Sequence, residues 1–150
     1  MSATLEHRHY DTFDLSEAPE RLLPDHLPIS FATDREGNIA RLSAPFEPLV
    51  SDIVFERVAS GACTEAAFRE SCVGVFRHGS VTHIVAQDAE GQLTLSPANR
   101  PIYRLGPFRD GIFIIAELPG FRVEFRRVPE GMVDELIFHQ PNGTFLARRL

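Results

Sequence analysis

The sequence predicts an all-β fold, an antiparallel β-barrel with a β-sandwich as the alternative. Three observations lead there. Short segments of β-branched and aromatic residues recur along the chain with a period of two. Turn signals built on Gly, Pro and Asn separate these segments. Only one stretch, near 64–71, has helical character. Roughly 8–12 strands are expected, in one domain over 1–150, with 8–58 as a first strand module and its loops and 64–149 as the helix plus the main barrel strands.

Candidate strands run over 9–15, 28–34, 38–43, 51–58, 73–78, 81–87, 92–96, 101–105, 111–118, 120–128, 131–139 and 143–149. Turns are explicit at Arg35-Glu36-Gly37-Asn38, Asp88-Ala89-Glu90-Gly91, Leu118-Pro119-Gly120, Pro129-Glu130-Gly131 and Pro141-Asn142-Gly143. Segment 120–128 alternates, with Phe121, Val123 and Phe125 on one face and Arg122, Glu124 and Arg126 on the other, one apolar and one wet. The run Ile112-Phe113-Ile114-Ile115 does not alternate, so cover on both faces is expected from a second layer or from a partner, a two-fold homodimer being one solution. Thr64 to Glu70 reads as the helix, with Cys63 or Thr64 before it or at its cap and Glu65 in its first turn. Residues 16–28, with three prolines, and 44–50 read as surface loops.

Composition removes whole classes of chemistry. The chain has 150 residues, 21 acidic and 15 basic, for a formal net charge of -6. Every basic residue is Arg; there is no Lys. Schiff-base catalysis, a phosphate-cradling P-loop and a Ser-x-x-Lys nucleophile pair all need a lysine amine and are excluded. A net negative domain with pI near 5.5 lacks the clustered positive charge of a nucleic-acid binder. Arg122, Arg126 and Arg127 lie close together and read as the solvent face of a strand. No apolar run approaches the roughly 20 residues of a membrane-spanning helix, and MSATLEHRHYDTF has no apolar stretch of the signal-peptide kind. The compartment stays open. Cys63 and Cys72 could pair, but read as two free buried thiols.

An internal repeat is visible. Residues 29–42 match 123–136 at a constant offset, pairing Ile29 with Val123, Phe31 with Phe125, Gly37 with Gly131, Ile39 with Val133 and Leu42 with Leu136. Each copy continues to a strand holding a Phe and an Arg, at different spacings: Phe55-Glu56-Arg57 and Phe145-Leu146-Ala147-Arg148. Any two hairpins with a central Gly look alike, and two related hairpin-plus-strand modules within one barrel or sandwich would look the same.

Tests for chemistry return little. His7-Arg8-His9-Tyr10-Asp11-Thr12 begins like a His-x-His-x-Asp-His zinc signature, but Thr12 stands where the last His belongs and no apolar strand precedes it. His26, His78, His83 and His139 have no ligand spacing, so no metal or cofactor is expected. Ser80, in Arg77-His78-Gly79-Ser80-Val81, lacks a nucleophile elbow and reads as a turn, and Cys72 reads as packing. Asp134-Glu135 fall on opposite faces of a strand, wrong for shared acid–base work, and Arg109-Asp110 reads as a turn pair. No catalytic residue is expected. Twelve Phe and two Tyr would suit an interior that holds a small apolar ligand, lined by His83, Tyr103, Phe113 and Phe125.

These residues also carry a resemblance. Phe68-Arg69-Glu70-Ser71-Cys72-Val73-Gly74-Val75-Phe76 is similar to the helix-to-strand junction Phe-x-x-x-Tyr-Val-Gly-x-Tyr of a lipocalin-like C-terminal domain of unknown function. That domain is appended to serine hydrolases of the penicillin-binding-protein and class C β-lactamase type. Gly91-Gln92-Leu93-Thr94-Leu95 resembles its Gly-x-Leu hairpin, and Phe121 to Leu136 and Phe145-Leu146-Ala147-Arg148-Arg149 resemble its last strands. His9 to Phe13, Phe31 to Ile39, Glu47-Pro48 and Asp52 to Arg57 look like the segment leading into it, so the resemblance covers nearly all of 8–149. Cys72 and Phe76 replace the two usual tyrosines, which removes any role of their hydroxyls.

The resemblance implies a lipocalin-like barrel accompanying a β-lactamase-like hydrolase domain, in the same chain in relatives, for assembly or shaping of the substrate entrance. The parent enzymes' Ser-x-x-Lys and Tyr-x-Asn are absent, since Asp11-Thr12 follow Tyr10 and Arg104-Leu105 follow Tyr103. A small apolar-ligand binder is the alternative, and a barrel enzyme working around His83 is a third reading.

Overall fold

A computed structural model describes residues 3–17, 26–128 and 131–150. The chain divides into two compact units, Met1–Arg57 and Val58–Leu150. The first segment, expected as one module of a single barrel domain, therefore forms a unit with a sheet of its own.

In the first unit, β1 (Ala3–His9), β2 (Thr12–Glu17), β3 (Leu27–Thr33), β4 (Ile39–Ala44) and β5 (Ile53–Glu56) pair antiparallel in that order. Candidate strand 9–15 is corrected by this: it spans the end of β1, a turn and the start of β2. The turn was hidden because Tyr10-Asp11 carries no Gly, Pro or Asn, yet Tyr10 takes φ +47. Leu27, Ile29 and Ala44 are buried on one face, with Leu15, Phe31, Leu42 and Phe46 packed against them. Most of the expected loop 16–28 lies outside the described residues.

The second unit opens with a short 3-10 helix (Gly61–Thr64) and α1 (Ala66–Cys72). The helix starts later than expected. Glu65 is its N-cap residue rather than a first-turn acid, and the Thr64 hydroxyl donates to the Gly61 carbonyl at 2.8 Å instead of capping.

Eight strands follow: β6 (Gly74–His78), β7 (Val81–Gln87), β8 (Leu93–Pro97), β9 (Tyr103–Arg109), β10 (Ile112–Ile115), β11 (Arg122–Arg127), β12 (Val133–Gln140) and β13 (Gly143–Arg149). They pair antiparallel in sequence, and β13 closes onto β6 through Arg148 opposite Arg77 and Arg149 opposite Phe76. The barrel is closed, which leaves it no sheet edge.

Two strands differ from expectation. β9 runs on through Gly106 and Pro107, because a bulge against β10 absorbs the misfit where Pro lacks a ladder donor. Segment 111–118 shortens to four residues that do alternate in burial: Phe113 and Ile115 point into the core, while Ile114 points out, 37% exposed, over Gly106. A partner's cover is not needed to explain it.

One core fills the barrel. Phe76, Val85, Leu93, Leu95, Leu105, Phe113, Val123, Leu136 and Ala147 are essentially without solvent contact, and Phe68, Cys63 and Cys72 join them from the helical segment. Phe68 reaches Gly111 beside the Phe125 carbonyl, so the helical segment packs over one end of the barrel.

Residues of that same end meet at Arg149. Its Nε donates to the Val133 carbonyl, Nη1 to Val73 at 2.7 Å and Nη2 to Ser71 at 2.6 Å, while the guanidinium lies 4.7 Å from the Phe76 ring centroid. Gly74 leaves the room, since a Cβ there would collide with Nη1.

The internal repeat extends to all five strands of the first unit, which follow β9–β13 pair for pair. In the first hairpins, Leu5 opposite Leu15 and His9 opposite Thr12 match Leu105 opposite Ile115 and Arg109 opposite Ile112, each 100 positions on. A bulge falls between His7 and His9 in one and between Pro107 and Arg109 in the other, and the turn residues Tyr10 and Asp110 take φ +47 and +49. In the second hairpins, Phe31 opposite Leu42 matches Phe125 opposite Leu136, with the bulge at Ala32/Thr33 and at Arg126/Arg127. The turns close by Asp34 to Asn38 and Val128 to Met132 backbone bonds, with Gly37 and Gly131 at φ +80 and +87. In the last strands, Phe55 opposite Leu42 matches Ala147 opposite Leu136. The two modules thus share one register, in separate units rather than within one barrel.

Candidate functional site

All four residues expected to line a pocket face the barrel interior, as period two requires. Phe113 and Phe125 meet edge to face at 5.6 Å, and Phe76 joins Phe125 at 6.1 Å, so these rings are core packing 0–3% exposed. His83 and Tyr103 lie toward the end away from the helix. The register puts them at strand ends shared with Pro97, Phe138 and Phe145. His83 stacks on Phe138 at 4.5 Å rather than on the Phe113–Phe125 pair, and Tyr103 packs half-buried on the core. Burial pushes the His83 imidazole below its usual range, with His78 adding to the effect, and its buried Nδ1 has no hydrogen-bond partner.

The nucleophiles are placed for packing. Cys63 and Cys72 are both free thiols without solvent contact. Burial pushes Cys72 up to about 12, against the opposing pull of Arg149 and Arg127, and burial likewise raises Cys63. A thiol so held is protonated and unreactive. Ser80 sits exposed at the β6–β7 turn, and the adjacent His78 donates from Nδ1 to the Leu146 carbonyl at 2.7 Å. Among the described residues no three His, Cys, Asp or Glu gather as metal ligands. His7 instead donates to the Tyr10 carbonyl at 2.9 Å within the β1–β2 hairpin.

The outer face of β10–β12 carries a group that the sequence does not assemble. Glu124 accepts from Arg126 at 2.7 Å and from His139 at 2.9 Å. Burial acts to raise Glu124, but these two bonds outweigh it and hold the carboxyl below its ordinary value. The pair borders a surface hollow of about 370 Å³, also lined by Arg109, Ile112, Arg122 and Gln140. Arg109 and Arg122 lie 5.4 and 4.9 Å from the Phe108 ring. Among the described residues no Ser, Thr or Cys lines this hollow, which pairs a fixed carboxylate with an imidazole. Alternation places Glu124 on the wet face, but its meeting with His139 depends on the β11–β12 register, which no local signal encodes. Arg127, read as a solvent-facing charge, is exposed, and its guanidinium lies 4.6 Å from the Phe68 ring.

No protein-family model matches the chain, and no curated protein matches it. A crystal structure of SurE with D-Leu is similar over 99% of this chain at 19% sequence identity with a TM-score of 0.44, and the chain spans 38% of the length of that protein. At that identity and score the likeness carries no argument about activity. No helix among the described residues is long and apolar enough to cross a membrane.

Proposed function

We propose that this chain is an accessory β-barrel module working beside a β-lactamase-like serine hydrolase domain, assembling with it or shaping its substrate entrance, without catalysis of its own. The observation that carries the reading is the filled interior: Phe76 and Phe113 each pack against Phe125 inside the barrel, and both thiols are buried in the same core. Support also comes from where the resembling motifs fall. Phe68 to Phe76 joins α1 to β6, Gly91 to Leu95 turns from β7 into β8, and Phe121 to Leu136 is the β11–β12 hairpin. With no Lys, the part of such an enzyme that this chain can be is the part without the Ser-x-x-Lys machinery.

The test uses the purified chain with a chromogenic ester and a chromogenic β-lactam, alone and with a separately produced β-lactamase-like hydrolase from the same genome. The chain alone is expected to turn over neither substrate and to change the hydrolase's kcat/KM when added. Ester hydrolysis by the chain alone, abolished in His83→Ala, would overturn the reading in favour of a barrel enzyme.

A second reading has one observation of its own. The unpartnered Nδ1 of His83, at the same end of the barrel as the half-buried Tyr103, would suit a small apolar ligand with a single polar atom held at the end away from the helix. A thermal-shift screen with uncharged apolar alcohols separates the two, since a ligand there would stabilise the wild type and not His83→Phe.

A further inference from the structure

We propose that the first unit is an unfinished copy of the barrel, and that three antiparallel strands preceding β1 in chain order, carried on the polypeptide of the partner hydrolase domain, close it. The source of the strands rests on the accessory-module reading; the closure does not. The argument begins with register. Strands β1–β5 reproduce β9–β13 in every pairing, with the same bulges and with matching turns between β1 and β2 and between β3 and β4. Stagger and strand number together set the radius of a barrel. Five strands with the stagger of an eight-stranded barrel therefore curve around the same cylinder and stop short. At about 4.8 Å per strand, the gap is three strands wide.

The facing side chains fit the same account. Inward positions of β9–β13 have apolar counterparts in the first unit: Leu5 for Leu105, Phe13 for Phe113, Leu15 for Ile115, Ile29 for Val123, Phe31 for Phe125 and Leu42 for Leu136. This is the lining of a barrel. Yet Leu5, Ile53 and Phe55 are 46–48% exposed, whereas Leu105 and Ala147, at the positions of Leu5 and Phe55, are 0–1% exposed. Among the described residues, neither β1 nor β5 has a second strand beside it. A row of unpaired backbone groups bordering an apolar face is an edge that proteins cover.

The repeat also says what covers it. In the complete barrel, β6–β8 pair with β13 on one side and β9 on the other, and in chain order they come directly before β9. The equivalent segment of the first unit would come directly before β1. A second copy of this chain fits less well, because it would bring five strands to a three-strand gap.

A graft tests the closure without any hydrolase. A copy of residues 58–102 is placed directly before Ala3, the counterpart of Tyr103, so that the native loop joins its last strand to β1. Amide exchange in β1 and Ile53–Glu56 is expected to slow by at least about tenfold relative to the unmodified chain. Unchanged exchange there, in a soluble graft whose β6–β13 amides remain protected, overturns the proposal.

A measurement on the unmodified chain stands apart from the graft's folding. Fast exchange at β1 and β5 in a monomer by sedimentation supports the open edge. Protected edges in a concentration-dependent dimer overturn the proposal and make a second copy the occupant. Failure of the hydrolase assay with success of the graft removes only the source of the strands.

Discussion

Replacing Arg149 with Ala should be the most damaging single change on the polar side of the barrel. The side chain makes three hydrogen bonds to main-chain carbonyls, on Val133, Val73 and Ser71, and stacks on Phe76. A hydrogen bond from a charged donor contributes about 1.5–3 kcal/mol. Arg149 is half-buried, and in the variant water reaches some of these carbonyls, so about 1 kcal/mol each is the better figure. The ring contact adds about 0.5–1 kcal/mol. The expected loss is therefore about 4 kcal/mol, or some 15–30 °C in Tm for a unit of 60–100 residues.

Urea unfolding followed by near-ultraviolet circular dichroism reads this directly, with the slope unchanged and the midpoint lowered. Arg149→Lys is the control. It keeps the charge, but one ammonium cannot reach three carbonyls that a planar fork spans, so more than half the loss should remain. A loss below about 1 kcal/mol for Arg149→Ala, or full rescue by Lys, would refute the idea that geometry rather than charge makes this contact.

Three further outcomes follow from the titratable groups. The His83 pKa is lowered in the fold by burial, so the neutral form is favoured; its contribution is fully present above the unfolded value near 6.5 and is lost as pH falls through the folded value. His83→Leu should flatten the decline of Tm below pH 6.5, and an unchanged acid slope would refute this. Glu124 is also held below its ordinary value, so its contribution is present above about 4.5 and lost on further acidification. Glu124→Gln should therefore cost about 1 kcal/mol at pH 7 and progressively less as the pH falls below about 4.5, by urea unfolding across that range. Cys63 and Cys72 should resist a soluble thiol reagent at pH 8 in the native protein and react fully in guanidinium, and fast native labelling would mean that the helical segment opens.

What was legible in the sequence was whatever local periodicity and turn chemistry encode. Segment 120–128 declares its two faces because Arg and Glu alternate with Phe and Val between Gly120 and Gly131, and Val123 and Phe125 are buried as that alternation requires. Three failures have separate causes. The Tyr10-Asp11 turn is bought by tertiary pairing rather than turn residues, and β9 passes through Pro107 because a bulge excuses it. Ile112 to Ile115 looked two-sided because Ile114 finds a niche over Gly106 outside the barrel.

The contacts that decide the site are longer in range. Glu124 meets His139 across a hairpin, and Arg149 bonds Ser71 and Val73 from more than 70 residues away. No spacing rule reaches that far. The internal repeat was legible over 29–42 and 123–136, where one offset holds, and went unseen over the first hairpins, where the offset changes.

Arginine and strand closure go together in this fold, and that coupling can be tested at Arg57. Arg57 stands where Arg149 stands in the barrel, and its Nη1 donates to the Ile39 carbonyl, where Arg149 donates from Nε to the carbonyl of Val133, the counterpart of Ile39. The other two carbonyls that Arg149 binds, those of Ser71 and Val73, come from α1 and the residue before β6. They belong to the segment that closes the barrel. A graft of residues 58–102 before Ala3 would supply copies of both, together with a copy of Gly74 to make room. Arg57→Ala removes this bond to the Ile39 carbonyl from the unmodified first unit. In the grafted chain the same substitution should cost several-fold more, measured as the loss of amide protection in β1 and β5. Equal losses in the two backgrounds would mean that the guanidinium serves only its own sheet, and the arginine would then have no part in closing a barrel.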